Sequence, residues 1–505
     1  MIRNAVVLVG MLGLSAGLHG CHAYDCRESL QCADPPAEDA PDQEEPSCDP
    51  VAVGTGACAG VFVSSTLGDD GNPGTRDEPV RTLGQAIKLA RDGSRRVYAC
   101  AETFAEPVTV RAGVELWGGL DCTAGWSYVG DAMKTTIAPD SGVIPLRFVP
   151  GEGRAIVADV HAMAAHAIQP SGSSIAALVE TGAVVEILRS DLVAGNGAAG
   201  ALGRPGGDLP AAAGSAGAPG SAACSTTTVQ GGQGAINSCA GTTSIGGLGG
   251  YGSSSQGGDG TAGSPAPTPN PQGFGRGGEG QTNASPCQFG SDGDNGVGGE
   301  HGRGASGPGR ITESGWEGVP GEDGRDGRPG QGGGGGGGSR AGFAFCGASL
   351  GGASGGGGGA GGCGGVGGKG GGYGGGSIGV LSLGGDVTIR NSSITTGRGG
   401  DGGSGGLGQA GGVGGPFGEG GASVNASPAG CDGGNGGNGG NGGHGGGGLG
   451  GPSIGILYSF GLAPAQEGNV IRTDSPGKGG LGGGSNVPGS AGEDGIRSEI
   501  LGFPP

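Results

Sequence analysis

Ser174-Ile175-Ala176-Ala177-Leu178, Ser377-Ile378-Gly379-Val380-Leu381 and Ser453-Ile454-Gly455-Ile456-Leu457 are three versions of one phrase, and the fold follows from what comes after each. The first leads to Val185-Glu186-Ile187 and then Asp191-Leu192-Val193-Ala194-Gly195-Asn196-Gly197. The second leads to Val387-Thr388-Ile389 and then Ser393-Ile394-Thr395-Thr396-Gly397-Arg398-Gly399, a match with a one-residue slip. A third, more degraded copy reaches Val470-Ile471-Arg472 before Gly477-Lys478-Gly479. Short apolar runs rich in β-branched residues predict strands, and their recurrence predicts strands that stack copy on copy. Each copy ends where a glycine tract begins. The tracts at 198–376 and 399–452 therefore read as loops expanded from one corner of a repeating unit, with 479–489 a short version of the same.

Upstream, residues 61–150 have the most ordinary composition. Val61-Phe62-Val63 predicts a strand, and Asp69-Asp70-Gly71-Asn72-Pro73-Gly74 is dense turn chemistry. Leu83, Ile87 and Ala90 fall at helical spacing behind Thr82, a candidate N-cap. Val97-Tyr98-Ala99, Val108-Thr109-Val110 and Val114-Glu115-Leu116-Trp117 alternate as strands. In order and spacing, the run from Val61 to Asp121 resembles the opening segment of right-handed parallel β-helix proteins of the pectate-lyase-like group. The resemblance implies an all-β fold with a short capping helix; it does not imply an activity, since such folds carry lyases, hydrolases and adhesins alike. On rungs of some 20–25 residues, Cys100 and Cys122 would stand at equivalent points of neighbouring turns, the favoured disulfide of the chain.

The tracts set the rest of the expectation. Glycine supplies 138 of 505 residues and aromatics only 4%, so a side-chain interior is available mainly before residue 195. Gly433-Gly434-Asn435-Gly436-Gly437-Asn438-Gly439-Gly440-Asn441 has period three, the period of a polyproline-II helix. Two glycines in three permit backbone-to-backbone packing, with the third position pointing outward. This pattern resembles glycine-rich antifreeze proteins. The insertions are thus either polyproline-II-like bundles or disordered. Gly318 to Gly330 is collagen-like in spacing but too short for a triple helix. Because ordering glycine costs more backbone entropy than ordering any other residue, cysteines in the tracts read as staples: Cys224, Cys239, Cys287, Cys346, Cys363 and Cys431.

The N-terminus reads as an export signal. Arg3 precedes an apolar run from Ala5 to Leu18, and Leu18-His19-Gly20-Cys21 resembles a bacterial lipobox, with His19 departing from the usual small residue. Residues 1–20 are then a signal peptide and Cys21 the lipidated residue of an exported outer-membrane or cell-surface lipoprotein. Cleavage after Ala23 is the alternative. Removing Cys21 leaves an even number of cysteines, as an oxidising compartment favours, with Cys26, Cys32, Cys48 and Cys58 as further disulfide candidates. Segment 21–60 is acidic and proline-bearing and reads as a tether, followed by units at 61–197, 198–376, 377–398, 399–452 and 453–505.

Chemistry is sparse. A net charge of −19 argues against nucleic acid as a partner. The membrane, reached through the lipid, and a polysaccharide or surface protein remain as partners. Lyase or hydrolase chemistry would need clustered carboxylates with a nearby base, for which Asp159, Glu180, Glu186, Arg189 and Asp191 are the candidates. No such triplet recurs at rung spacing, so no catalytic residue is assigned. No cofactor is required, calcium being the only one with candidate ligands, in Asp69, Asp70 and Asn72; a capped turn explains the same residues. Trp117, Trp126 and Tyr128 read as a core seal. The expected function is a non-catalytic structural or adhesive role, with a polysaccharide-active enzyme or a calcium- or ice-binding surface as alternatives.

Overall fold

The structure, a computed structural model, describes residues 48–503 apart from 57, 131, 313, 460–462 and 485–486. The signal peptide, Cys21, Cys26 and Cys32 lie outside the described residues. The fold is mostly β-strand, built on three parallel sheets that the chain visits in a fixed order. Val61–Val63, Arg96–Cys100, Glu115–Asp121, Ala155–Ala158, Val184–Leu188, Asp386–Arg390 and Ala465–Glu467 lie side by side in the first sheet. Thr103–Phe104, Thr135–Ile137, Val160–Ala164, Asp191–Ala194, Ser393–Thr396 and Val470–Arg472 form the second. Val108–Arg111, Leu146–Val149, Ser174–Val179, Ser377–Ser382, Ser453–Ser459 and Arg497–Phe503 form the third.

Sequence copies therefore become neighbours. Ser174, Ile175 and Leu178 pair with Ser377, Ile378 and Leu381, and these with Ser453, Ile454 and Leu457. Between the first two copies the offset is 203 in the third sheet and 202 in the others, which places the one-residue slip in the intervening turn. Val470-Ile471-Arg472 pairs with Ser393-Ile394-Thr395, so it continues the second sheet; the counterpart of Val387-Thr388-Ile389 is the exposed Ala465–Glu467.

Inward side chains from all three sheets make one core that includes Leu116, Ile137, Phe148, Val157, Ile187, Leu192, Ile389 and Ile394. At about 25 cal/mol per Å² of apolar surface removed from water, that burial drives the coil together. The helix Leu83–Arg91 caps its end, with Leu83, Ala86, Ile87 and Ala90 buried and the Thr82 hydroxyl accepting from the Gln85 N–H. Where the first sheet passes to the second, Asp159, Arg189 and Asn391 take left-handed backbone angles (φ 57°, 43° and 48°), and Gly119 and Gly468 do the same. At these five turns of the corner the bend is made by the αL conformation, unusual for the non-glycine residues.

Every tract leaves between the second and third sheets. Gly197 donates to Arg398 O and Gly399 to Ser475 O, so the roots stack with the rungs beneath them. Ser174, Ser377 and Ser453 close this corner. Each is buried at the start of its strand, and the Ser377 and Ser453 hydroxyls donate to Gly195 O and Gly397 O at the root of the preceding tract.

The tracts are hydrogen-bonded throughout rather than disordered. Segments 198–221, 399–421 and 430–451 run beside 354–375 as extended helices whose N–H groups reach the same neighbour every third residue. That repeat has the same three-residue period as polyproline II. Gly356, Gly357 and Gly358 donate to Cys431 O, Ala218 O and Gly247 O, while their carbonyls accept from Gly336, Gly418 and Ala235. Three residues thus join six other segments. A Cβ on Gly358 would lie 1.9 Å from Gly333 O, so contact itself excludes any side chain.

Glycine density follows the number of neighbours. Between Gly321 and Gly330 one residue in three is glycine, and Asp323, Arg325 and Arg328 face solvent. From Gly332 to Gly338 the run is unbroken, because here segments 245–250, 258–264 and 275–281 close over the same helix. This explains the collagen-like spacing: three neighbours (294–303, 362–371 and 437–446) cover segment 321–330 on one side, while the side chains between its glycines stay open to solvent.

Residues 48–60 differ from the tether expected for 21–60. Cys48 and Pro50 are buried, Tyr98 Oη donates to Cys48 O, and Arg76 Nη2 donates to Thr55 Oγ1 at 2.7 Å. This segment covers the outer side of the first sheet, where Phe62, Tyr98, Trp117, Leu120 and Trp126 form a second apolar cluster. The aromatic residues Trp117 and Trp126 do seal a core, with Tyr128 packed at its edge.

Candidate functional site

One face of the coil carries a polar row. Thr103, Thr136, His161, Asp191 and Ser393 are cross-strand partners on consecutive strands of the second sheet. Alternation puts them outside while Ile137, Ala162, Leu192 and Ile394 fill the core. With Glu102, Met133 and Lys134, Thr103, Thr136, His161 and Asp191 line an open groove of about 400 Å³. Lys134 Nζ lies 2.8 Å from Asp191 Oδ2, His161 Nδ1 lies 3.8 Å from the same oxygen, and Ser393 Oγ donates to Asp191 Oδ1. Burial works to raise the Asp191 pKa, but Lys134, Ser393 and His161 outweigh it and hold the carboxylate below its ordinary range. Glu102 is likewise held ionised against burial by Thr66, Ser65 and Ser64. Such a groove can hydrogen-bond a hydroxylated ligand; both carboxylates are spoken for as acceptors.

The five sequence candidates do not converge. Asp191 lines the groove. Asp159 is buried and bonds Arg189 Nη2 at 2.7 Å and Tyr128 Oη at 2.8 Å. Arg189 also meets Asp49 at 2.9 Å; burial opposes its charge, yet the two carboxylates raise its pKa above the ordinary arginine value. That bridge ties the N-terminal segment to the coil. Glu180 pairs with Arg147 at 2.7 Å, and Glu186 sits between Arg154 (2.9 Å) and Arg390 (2.7 Å) on the first sheet. Each acid has a base.

The calcium candidates are used by their own turn. Asp70 accepts from the N–H groups of Arg81 and Thr82 and from Thr82 Oγ1, Asp69 Oδ1 accepts from Gly71, and Asn72 Nδ2 donates to Pro79 O. Among the described residues, Cys100, Glu102 and Cys122 are the one His, Cys, Asp or Glu group close enough to share an ion. The two cysteines are bonded to each other, which removes them as thiolate ligands.

Five disulfides join the described cysteines. Cys48–Cys58 and Cys100–Cys122 are local, with Cα–Cα distances of 5.8 and 5.6 Å. Cys224–Cys346, Cys239–Cys363 and Cys287–Cys431 span separations of 122, 124 and 144 residues inside the glycine bundle.

The third positions of the tracts were expected to point outward, free for a ligand. Many instead complete the bundle. Asn441, Asn438 and Asn435 accept through Oδ1 from Gly411, Gly414 and Phe417 N–H, Asp432 accepts from Gly420, and His444 Nδ1 accepts from Gly408. One helix further out, Asp292, Asn295 and His301 accept from Asn435, Asn438 and His444 N–H. Where a surface helix lacks a neighbour to receive its N–H groups, a side chain from the adjoining helix does so. The signal was present in the Gly-Gly-Asn period, but it reports a backbone acceptor. The facing rings of His301 and His444 stack 4.8 Å apart, and with both Nδ1 atoms accepting, their protons sit on Nε2, leaving no lone pair there for a metal.

Among the described residues no helix is long and apolar enough to cross a membrane. Compared with protein-family models, curated proteins and solved structures, the chain matches none.

Proposed function

We propose that this chain is an exported, lipid-anchored bacterial surface protein with a structural or adhesive, non-catalytic role. Its coil is read as a right-handed parallel β-helix of the pectate-lyase-like kind, and its tracts as polyproline-II-like helices. The observation that carries the reading is the bundle: three corners of one coil extruded side by side, hydrogen-bonded in every direction and cross-linked by three long-range disulfides. Such cross-links suit an oxidising compartment. A rigid projection whose interior is backbone has display as its natural use.

Intact mass and a non-reducing disulfide map of the protein from its native host test this, together with labelling of intact cells. The expected results are a diacylated Cys21, paired cysteines and surface labelling; free thiols in a reducing compartment would overturn the reading. A polysaccharide-active enzyme is the second reading, favoured by Lys134 and His161 beside Asp191 in a groove. New unsaturated or reducing ends from pectin, alginate or peptidoglycan, abolished by Lys134→Ala, would establish it.

A further inference from the structure

All the long glycine helices run from the coil to one distal end, where the chain turns back in loops at 222–229, 251–256, 281–289, 340–351 and 422–429. At about 3.1 Å per residue, helices of some 22 residues hold those loops roughly 70 Å from the coil. The loops touch one another. Ala223 donates to Ala422 O, Cys224 to Gly351 O, Ala341 to Ser253 O, and the Arg340 N–H to Gln281 Oε1.

Their composition departs from the rest of the chain. They contain no Asp, Glu, Lys or His, and Arg340 is their one charged residue, in a protein that is 14% charged with net −19. The arginine is itself engaged, its Nη1 donating to Asn283 Oδ1. Serine, threonine, asparagine and glutamine replace the charges. Thr226, Thr227, Thr228, Asn283, Ser423 and Asn425 are all exposed, as are the rings of Phe289 (67%) and Phe345 (39%).

The end is also rigid. Cys224–Cys346 joins two of its loops, and Cys287–Cys431 ties a third to the segment just beyond the 422–429 loop. Asn-Ala-Ser-Pro occurs twice, at 283–286 and 425–428, and the second disulfide joins the two copies just beyond each. Asn425, Ala426 and Cys224 hold left-handed backbone angles (φ 54°, 63° and 61°), a strained state for alanine. Preorganised backbone costs less to order on binding.

We propose that this distal end binds a neutral polysaccharide. Hydroxyl and carboxamide groups both donate and accept, matching sugar hydroxyls, and exposed aromatic rings suit the C–H faces of pyranoses. The loops themselves carry no carboxylate, the exposed Glu279 and Glu419 lying two and three residues outside them, so they do little to steer a charged ligand. This inference rests on the surface-display reading.

Oxidised full-length protein is titrated with dextran, amylose and galactomannan oligosaccharides, beside alginate and polygalacturonate as anionic probes. At least one neutral glycan should bind and the anionic ones should not. Thr227→Glu, Ser423→Glu and Phe345→Ser should each weaken binding tenfold or more with unchanged melting, while Leu202→Glu and Val413→Glu on the exposed bundle flank leave it intact. Loss with the flank variants but not with the loop variants, preference for the anionic glycans, or no binding to any neutral glycan would overturn the proposal, as would retention of a protein partner by these loops alone. If the loops label on intact cells yet no neutral glycan binds, display stands and this inference falls; if they do not label, display falls.

Discussion

The coil and the glycine bundle share roots at three stacked corners but make their interiors from opposite materials. In the coil, Leu116, Phe148, Ile187 and Leu192 are fully enclosed, and side chains fill the space between sheets. In the bundle, Gly332–Gly338 and Gly355–Gly359 are as buried, and nothing but backbone fills the space between helices. The coil gains from removing apolar surface from water, against which folding sets the ordinary entropy of its residues. The bundle has little apolar surface and the costliest residue to order. It gains from hydrogen bonds running in six directions and from cross-links that shrink the unfolded ensemble.

The sharpest way to break that comparison is to remove the cross-links from the bundle alone. A 100-residue loop is worth about 4.7 kcal/mol by chain entropy, and each bundle disulfide spans more than that. Replacing all six of these cysteines by serine should open segments 198–376 and 399–452 to protease while 61–197 survives as a resistant fragment. Equal resistance before and after would mean that the hydrogen bonds suffice.

A mirrored pair of substitutions comes next. Leu178→Ala in the coil should cost about 2–5 kcal/mol through the cavity it leaves. Gly362→Leu in the bundle should cost about 3 kcal/mol or more for the contrary reason, because its Cβ would fall 2.0 Å from Gly412 O. Thermal or denaturant melts of the oxidised protein read both. If Gly362→Leu proves harmless, the bundle is looser than a close-packed interior.

Smaller effects sharpen the edges of the bundle. Asn438→Ala strips the acceptor from Gly414 N–H and should cost about 0.5–1.5 kcal/mol, with faster amide exchange at Gly414. The smallest effect is one of pH. Burial, and then the facing His301, lowers the His444 pKa from its ordinary 6.5. The unfolded chain therefore takes up this proton first. The stabilisation is complete above about pH 6.5 and declines as pH falls from there towards the lower folded value. His444→Asn keeps an acceptor for Gly408 N–H without a titrating group, so its melting temperature should fall less between pH 7 and 5 than that of the parent protein.

Much of the coil was legible in the sequence. The Ser-Ile phrase, its one-residue slip and the shared corner of the tracts come from short-range alternation, which a period of two writes plainly into the chain. Less was legible at the polar groove. Thr103, Thr136, His161, Asp191 and Ser393 are up to 290 positions apart, and only stacking brings them into one row. The sequence candidates Glu180 and Glu186 were near Asp191 in number, but Glu180 follows a strand of the third sheet and Glu186 lies in the first, since each rung turns two corners in some twenty residues.

By itself the sequence determined the alternation of strands, the period of three in the tracts and the places where a side chain is forbidden. Each of these is a local property of the backbone or of a single residue. Only the tertiary structure decided that Asn438 serves a neighbour's N–H, that Cys287 finds Cys431 across 144 residues, and that residues 48–60 belong to the body. Those outcomes depend on which helices become neighbours, and glycine, having no side chain, carries no code for its partner.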